Sequence, residues 1–125
     1  MPAIKRIPSP SPAPFSRATI AGGFLFLSGQ LPYDQHGQLV LGSIADQTHA
    51  VFDRLEESLA QSGATLANVV KATVWLTDLD LFNDFNRAYI ARFGEHLPTR
   101  SLVQAQLVKN VSVEIEVQAW LGEQS

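Results

Sequence analysis

An alternating run of apolar and polar side chains near the C-terminus constrains the fold of this chain more than any other feature. Apolar residues occupy every second position of the run, namely Val111, Val113, Ile115, Val117, Ala119 and Leu121. The positions between them carry Ser112, Glu114, Glu116, Gln118 and Trp120. Because successive side chains of a β-strand point to opposite faces of the sheet, the run predicts a strand over residues 111–121 with one apolar and one polar face. The fold must cover the apolar face.

Two amphipathic segments are suited to cover that apolar face as helices. In the first, Ser43 is a candidate N-cap and Gly63 a stop signal, and the core-facing positions recur at spacings of three and four. Those positions are Ile44, Thr48, Val51, Phe52, Leu55 and Leu59. In the second segment, Thr77 and Asp78 are candidate caps and Gly94 is the stop. Its aromatic stripe of Phe82, Phe85, Tyr89 and Phe93 is interpreted as a buried core face.

Short β-branched and aromatic runs predict the remaining strands. A hairpin is expected over residues 19–28, with its turn at Gly22 and Gly23. The other strands are expected over residues 38–41, 69–76 and 101–107. Without the short strand at residues 38–41, the order is ββαβαββ, which is typical of an α+β domain in which two helices pack on one face of a mixed sheet.

The N-terminal segment differs in composition from the rest of the chain. Its prolines, at positions 8, 10, 12 and 14, force extended backbone with few hydrogen-bond donors. Residues 1–13 are therefore predicted to be an arm laid over the domain or a free tail. Residues 14–125 are expected to form a single domain, which is an ordinary size for one.

Charge and residue usage exclude several function classes. The chain has 9 Lys and Arg against 12 Asp and Glu, with the basic residues scattered, which argues against a nucleic-acid partner. Without cysteine it has no disulfide, thiolate nucleophile or Cys-based metal site. The three histidines lack ligand spacing, so no metal is expected. No apolar run is long enough for a membrane span or a signal-peptide core, so a cytoplasmic location is predicted.

The polar face of the predicted sheet also carries tryptophans. Trp75 and Trp120 project from two separate strands. A face that mixes aromatic and charged side chains is more readily covered by another subunit than left in water. We therefore predict a homo-oligomer.

Arg100 and Glu114 are the candidate chemical groups. Arg100 follows Pro98 and begins a strand, so its planar guanidinium is held where it can bind a carboxylate through two hydrogen bonds. Glu114 lies on the polar face of the C-terminal strand. Each residue also fits a plain surface role, Arg100 as an ion-pair partner and Glu114 as a solvated carboxylate. The residues alone leave both interpretations open.

Several short motifs occur in an order that is highly specific when they are taken together. They lie at residues 14–18, 26–30, 34–37, 69–78, 98–101 and 113–116, with Gln47, Thr48, Phe82, Asn86, Tyr89 and Phe93 between them. Over about residues 14–121 the chain resembles the reactive intermediate deaminase (Rid, or YjgF) family of imine and enamine deaminases. The resemblance implies a chorismate-mutase-like (bacillus-type) α+β fold, assembled as a homotrimer with a barrel-like core and clefts between neighbouring subunits.

The resemblance also implies a reaction, the hydrolysis of 2-imino and 2-enamino acids to 2-keto acids and ammonia without a metal or cofactor. Arg100 would bind the substrate carboxylate, and Glu114 would activate the attacking water. The other implied substrate-binding positions are Phe15, Gly29, Asn86, Ser101 and Leu102. Phe15 stands where many members have Tyr and Leu102 where many have Cys, which implies a more apolar pocket.

Three other functions stay open at this point. A more apolar cleft would suit a larger enamine, such as an aminomuconate-type compound. The missing hydroxyl at Phe15 would suit a regulatory protein that binds a small carboxylate, such as a 2-keto acid, without turning it over. Ribonuclease activity, sometimes assigned to this family, is disfavoured by the acidic charge and the lack of a histidine pair.

Overall fold

The computed structural model describes residues 3–122 and has the α+β architecture that the sequence predicts, with one further strand at the N-terminal end. Its strands are β1 (Lys5–Pro8), β2 (Ser16–Ala21), β3 (Phe24–Leu27), β4 (Val69–Leu76), β5 (Thr99–Gln104) and β6 (Val113–Trp120). Its helices are α1 (Ile44–Ala60) and α2 (Phe82–Phe93).

The strands form one mixed sheet in the order β1-β2-β3-β6-β4-β5. Strand β6 lies inside the sheet, antiparallel to β3 and β4, whereas β4 pairs in parallel with the edge strand β5. The predicted alternation along β6 is confirmed. Val113, Ile115 and Val117 are fully buried, while Glu114 and Glu116 are half-buried on the opposite face.

Both helices pack on the apolar face of the sheet. Ser43 caps α1 as predicted, because its hydroxyl accepts a hydrogen bond from the Asp46 N–H at 3.1 Å. Every core-facing position predicted for α1 is buried. The Phe52 ring of α1 packs edge-on against Tyr89 and Phe93 of α2, so the two helices form one layer over the sheet.

The prediction of a strand over residues 38–41 was wrong. The segment makes only an isolated bridge at Leu39. Asp34 explains this, because one carboxylate oxygen accepts hydrogen bonds from the N–H groups of His36 and Gln38 and closes a turn. The two backbone N–H groups also lower the pKa of the Asp34 carboxyl, since they stabilise its ionised form.

Two element boundaries also differ from the sequence prediction. Asp78 caps a short 3₁₀ turn, Leu79–Leu81, and α2 begins only after that turn, without a side-chain cap. Strand β5 ends at Gln104 instead of residue 107, because its partner β4 ends at Leu76, the residue that pairs with Gln104.

The proline-rich segment contributes to the sheet. Strand β1 lies within the predicted arm and pairs antiparallel with β2, with a register irregularity between Ile7 and Pro8. Pro8 lacks an N–H, and such a residue is tolerated in an edge strand. Residues 1 and 125, the outer boundaries predicted for the arm and the domain, lie outside the described residues.

The sheet face opposite the helices is called the open face below. It carries Lys71, Thr73 and Trp75 of β4, Glu114, Glu116, Gln118 and Trp120 of β6, and Phe24 and Phe26 of β3. The ring of Phe26 is 43% exposed and that of Trp120 is 47% exposed. The open face therefore mixes charged and aromatic side chains as the sequence predicts.

Candidate active site

Arg100 is held on the helix side of the sheet by side chains of α2. It pairs with Ala72, a fully buried residue of β4, so its side chain points toward the helices. Its Nη1 donates a hydrogen bond to the Asn86 Oδ1 at 2.8 Å. The guanidinium carbon lies 4.8 Å from the centre of the Tyr89 ring, a cation–π distance. These contacts fix the guanidinium plane.

Tyr89 stays neutral beneath that cation. Burial raises the pKa of its phenol, although the positive charge of Arg100 acts in the other direction. A neutral ring keeps the electron-rich face that attracts a guanidinium. The rings of Phe82 and Phe85 lie further off, with their centres 5.8 Å and 5.9 Å from the guanidinium carbon, and complete an aromatic wall behind Arg100.

Arg100 differs from the other partly buried arginines in its charge environment. Arg17, Arg54 and Arg92 each form an ion pair with a carboxylate of α1. Within residues 3–122, Arg100 forms none. The ion-pair role that the sequence left open is therefore not what this side chain does in the protomer. A half-buried guanidinium with one neutral partner keeps most of its donors for an incoming anion.

A surface cavity of about 280 Å³ lies beside Arg100. It is lined by Asn86, Tyr89, Ile90, Leu97, Pro98 and Arg100. Among the described residues of that lining, Arg100 is the one that carries a formal charge. The cavity is therefore a candidate site for a small anion with an apolar part.

Glu114 lies on the open face, opposite Trp75 of β4, and packs against the backbone at Gly29. A Cβ at Gly29 would overlap a carboxylate oxygen of Glu114 and lie 3.1 Å from its Cδ. The φ angle of Gly29 is not positive, so a side chain is excluded here by space and not by backbone conformation. Gly29 therefore makes room for the Glu114 carboxylate.

The electrostatic environment of Glu114 favours its protonated form. Burial raises the pKa of this carboxyl, and the negative charge of Glu116 on the same strand face raises it further. Gln118 donates a hydrogen bond to Glu116 at 3.0 Å. Neither glutamate forms an ion pair within residues 3–122. A carboxyl with a raised pKa is suited to exchanging protons nearer neutral pH.

The remaining predicted site residues divide between the two sides of the sheet. Leu102 packs against the core on the helix side, in the same strand as Arg100. Ser101 points to the open face, where its hydroxyl accepts a hydrogen bond from the Lys71 Nζ at 2.9 Å. Phe15 is 58% exposed and lines a separate cavity of about 420 Å³ on the open face, together with Glu116.

Arg100 and Glu114 cannot act together on one small molecule within a single protomer. Arg100 pairs with Ala72 and Glu114 with Trp75, three positions further along β4. That offset is about 10 Å along the strands, and the β5-to-β6 spacing adds about 10 Å across them. The two side chains also point to opposite faces of the sheet. The structure thus brings Arg100 together with Asn86, and Glu114 together with Gly29, in two separate groups.

Sequence reasoning identified Arg100 and Asn86 as site residues, but it missed the aromatic wall behind Arg100 and the apolar residues Ile90 and Leu97 of the cavity lining. A signal for the wall was present, because Phe82, Phe85, Asn86 and Tyr89 have the i, i+3, i+4, i+7 spacing of one helix face. The stripe was interpreted as core only. Phe85 and Tyr89 are indeed buried, but Phe82 is 39% exposed.

Replacing Gly29 by Ala is expected to reduce any activity that depends on the position of the Glu114 carboxylate by about 10-fold or more, while leaving the fold intact. The new Cβ would meet the end of a flexible side chain, so Glu114 would move and the backbone would not. The thermal midpoint and the activity of the variant are the two measurements. Gly42→Ala is a matched control, since its Cβ would meet only the Asp46 side chain, at 3.3 Å. A fully active Gly29→Ala variant would contradict this role.

Within residues 3–122, no helix is long and apolar enough to cross a membrane, and no group of three or more His, Asp or Glu side chains is arranged to hold a metal ion.

The sequence matches one protein family and is similar to several named proteins. Residues 6–121 match the family described as Endoribonuclease L-PSP. The yeast protein MMF1, named as mitochondrial, is 39% identical over 117 residues, which cover 93% of this chain and 81% of that protein. A human protein named 2-iminobutanoate/2-iminopropanoate deaminase is 36% identical over 87% of this chain and 81% of its own length.

Solved structures agree with the sequence matches. The crystal structure of yeast Mmf1 superposes with a TM-score of 0.88 at 36% identity, covering 94% of this chain and 98% of that one. The described fold is therefore shared over nearly the full length of both chains.

Proposed function

The chain belongs to the endoribonuclease L-PSP family, the YjgF/Rid family of the sequence resemblance, and on this premise we propose that it hydrolyses reactive 2-imino and 2-enamino acids to 2-keto acids and ammonia. The observation that carries the proposal is Arg100, a half-buried guanidinium without a carboxylate partner among residues 3–122. The name of the human relative supports the same reaction class.

Arg100 is proposed to bind the substrate carboxylate. Asn86 and the ring of Tyr89 hold the guanidinium plane, so little side-chain freedom is lost when the anion binds. Two parallel N–H donors fix both the position and the orientation of a carboxylate. The substrate carbon C2, directly bonded to that carboxylate, is then placed for attack.

Glu114 is proposed to act on the attacking water. Its carboxylate takes a proton as the water oxygen bonds to C2, and it returns a proton to the nitrogen as the C–N bond breaks. The remaining hydroxyl proton leaves as the C=O bond forms and is taken up by the departing ammonia. A protonated imine and water thus give a 2-keto acid and ammonium, and atoms and charge balance with water as the only co-reactant. A protonated imine is already electrophilic, and the step as proposed uses no metal or organic cofactor.

We propose that the site is completed between two copies of the chain, in a homotrimer with clefts between neighbouring subunits. Arg100 and Glu114 lie on opposite faces of one sheet, so each needs the other group from a neighbour. The exposed aromatic side chains of the open face, such as Phe26 and Trp120, support burial of that face against other subunits in a barrel-like core.

Binding without turnover is the alternative function that one observation favours. Phe15 is exposed beside Glu116 and offers no hydroxyl to the substrate or the water. A regulatory protein would still bind a 2-keto acid through Arg100. Calorimetry that detects 2-keto acid binding, combined with an absence of imine hydrolysis, would establish this alternative. The family description names ribonuclease activity, but the acidic net charge of −3 gives RNA binding little support.

The predicted cytoplasmic location stays a prediction. The name of the yeast relative places that protein in mitochondria, so a mitochondrial location is the alternative to test for this chain. Imaging of a tagged protein in its own cell distinguishes them.

A coupled assay tests the proposed reaction. An amino-acid oxidase generates the 2-imino acid in place, and the decay of the imine is followed with and without the purified protein. We expect faster imine decay with matching release of 2-keto acid and ammonia. A rate equal to that in buffer, for every imine tried, would contradict the deaminase proposal.

Glu116→Gln is expected to move the acidic limb of the pH profile of kcat/KM to lower pH. Glu114 must be ionised to take a proton from water, so activity falls as the pH drops through its raised pKa. Removing the charge of Glu116 removes one cause of that raised pKa, although burial remains. The groups that contact Glu114 from β4 and from the segment after β3, namely Trp75 and the Gly29 backbone, carry no charge.

Lys71 is a cation of the open face, but it lies opposite Gln118 and donates a hydrogen bond to Ser101. A control for the pH profile is Glu95→Gln, since the Glu95 side chain is 89% exposed in a loop after α2. An acidic limb that stays in place in Glu116→Gln would contradict the coupling of the two glutamates.

A further inference from the structure

We propose that the open-face cavity lined by Phe15, Phe26 and Glu116 binds a primary alkylammonium ion, a short hydrocarbon chain that ends in a protonated amine. The proposal goes beyond the proposed hydrolysis, because such a cation is neither an imine nor a 2-keto acid and its binding is measured without either. The cavity has a volume of about 420 Å³, which leaves room for the ammonium group and the chain.

Glu116 gives this cavity an uncompensated negative charge. Among the described residues of the lining, Glu116 is the one that carries a formal charge. Its side chain is half-buried, and neither it nor Arg6 of the edge strand β1 forms an ion pair within residues 3–122. Lys71 donates its hydrogen bond to Ser101 of β5, which lies on the far side of β4 from β6. A half-buried carboxylate without a cation attracts one from solution.

Two exposed aromatic rings line the same cavity. Phe26 of β3 lies opposite Gln118 on the open face, and Phe15 directly precedes β2. Both side chains are exposed in the protomer. The face of a phenyl ring is electron-rich and attracts an ammonium group that lies over it. The same rings offer apolar surface to a hydrocarbon chain, so an alkylammonium ion gains more contact here than the bare ammonium ion.

The hydrogen bonds within the cavity leave acceptors available for a ligand. Gln118 donates through its Nε2 to Glu116 at 3.0 Å, and the Ser28 hydroxyl donates to the carbonyl oxygen of Ser16 at 2.7 Å. What remains for a ligand includes a carboxylate oxygen of Glu116, the amide oxygen of Gln118 and the lone pairs of the Ser28 hydroxyl. A primary ammonium group has three N–H donors and no acceptor, so it matches these groups. A carboxylate ligand would be repelled by Glu116.

An NMR titration of the full-length protein with n-butylammonium chloride tests the proposal. We expect saturable binding that shifts the side-chain amide signals of Gln118 and weakens as the salt concentration rises, since a cation is attracted to a carboxylate. Tetramethylammonium, which has the charge but no N–H donor, should bind more weakly, and neither 1-butanol nor butyrate should compete. A titration without saturable shifts at Gln118, or 1-butanol binding as tightly as butylammonium, would overturn the proposal.

Substitutions in the lining assign the binding to this cavity, with the thermal midpoint of each variant as the check on its fold. Glu116→Gln should weaken butylammonium binding at least about 10-fold, since a hydrogen bond to a charged group is lost. Phe26→Leu and Phe15→Leu should each weaken it about 3- to 10-fold, since one ring face is lost. Phe24→Leu is the matched control, because Phe24 is an exposed ring of the same strand outside the lining, and it should keep the wild-type affinity. Wild-type affinity in Glu116→Gln, or equal losses in Phe24→Leu and Phe26→Leu, would contradict the assignment.

Discussion

Arg100→Ala is expected to reduce kcat/KM for imine hydrolysis by about 100- to 1,000-fold. Truncating one partner of a desolvated charge pair costs about 2–5 kcal/mol, and each 1.4 kcal/mol is a factor of about ten. In the proposed reaction the substrate carboxylate is the partner, since no acidic side chain among residues 3–122 pairs with Arg100. Most of the loss should be in KM, with a further loss in kcat from misplacement of C2.

One further variant of Arg100 and one control variant help to interpret the Arg100→Ala result. Arg100→Lys keeps the charge but loses the planar pair of donors, so an intermediate loss is expected. Arg87→Ala is the matched control, because Arg87 is an exposed arginine of α2 that pairs only with the nearby Asp84. Unimpaired hydrolysis by Arg100→Ala, at wild-type KM, would remove the carboxylate anchor from the account.

Glu114→Gln is expected to reduce kcat by about 100- to 10,000-fold, the usual contribution of a positioned general acid–base group. Affinity for a 2-keto acid should be largely retained, because the proposed carboxylate anchor is Arg100. Steady-state kinetics together with calorimetry separates the two effects. Equal losses of binding and turnover would indicate that Glu114 shapes the site instead of moving protons.

The stability of Glu114→Gln should move in the opposite direction from its activity. A carboxyl whose pKa is raised by burial binds its proton more tightly in the folded state than in the unfolded chain. Its ionised form therefore destabilises the fold at pH values above that raised pKa. The neutral amide removes this cost, so the thermal midpoint at pH 7 to 8 is expected to be equal to or higher than that of the wild type.

The parts of the fold governed by local sequence were predictable. The alternation along β6 and the stripe of α1 follow directly from the periods of strand and helix, and Ser43 was identified as a cap because its side chain acts on its own helix. The strand expected at residues 38–41 fails because Asp34 binds nearby N–H groups, a turn that competes with sheet pairing.

The arrangement of the site depends on contacts between distant segments. Sequence patterns do not show that β5 pairs with β4 so that Arg100 faces α2, or that Gly29 packs against Glu114. The resemblance supplied the names of these residues without their geometry. Only the pairing register reveals that the two charged groups lie on opposite faces, which makes a second copy necessary for the proposed chemistry.

Hybrid oligomers test this central claim most directly. Arg100→Ala and Glu114→Gln proteins, each inactive alone, are mixed in equal amounts, dissociated and reassembled. If Arg100 of one copy acts with Glu114 of the next, random assortment leaves about one quarter of the clefts with both intact groups. Recovery of about one quarter of wild-type activity is predicted. A reassembled mixture as inactive as its parents would contradict a site shared between copies.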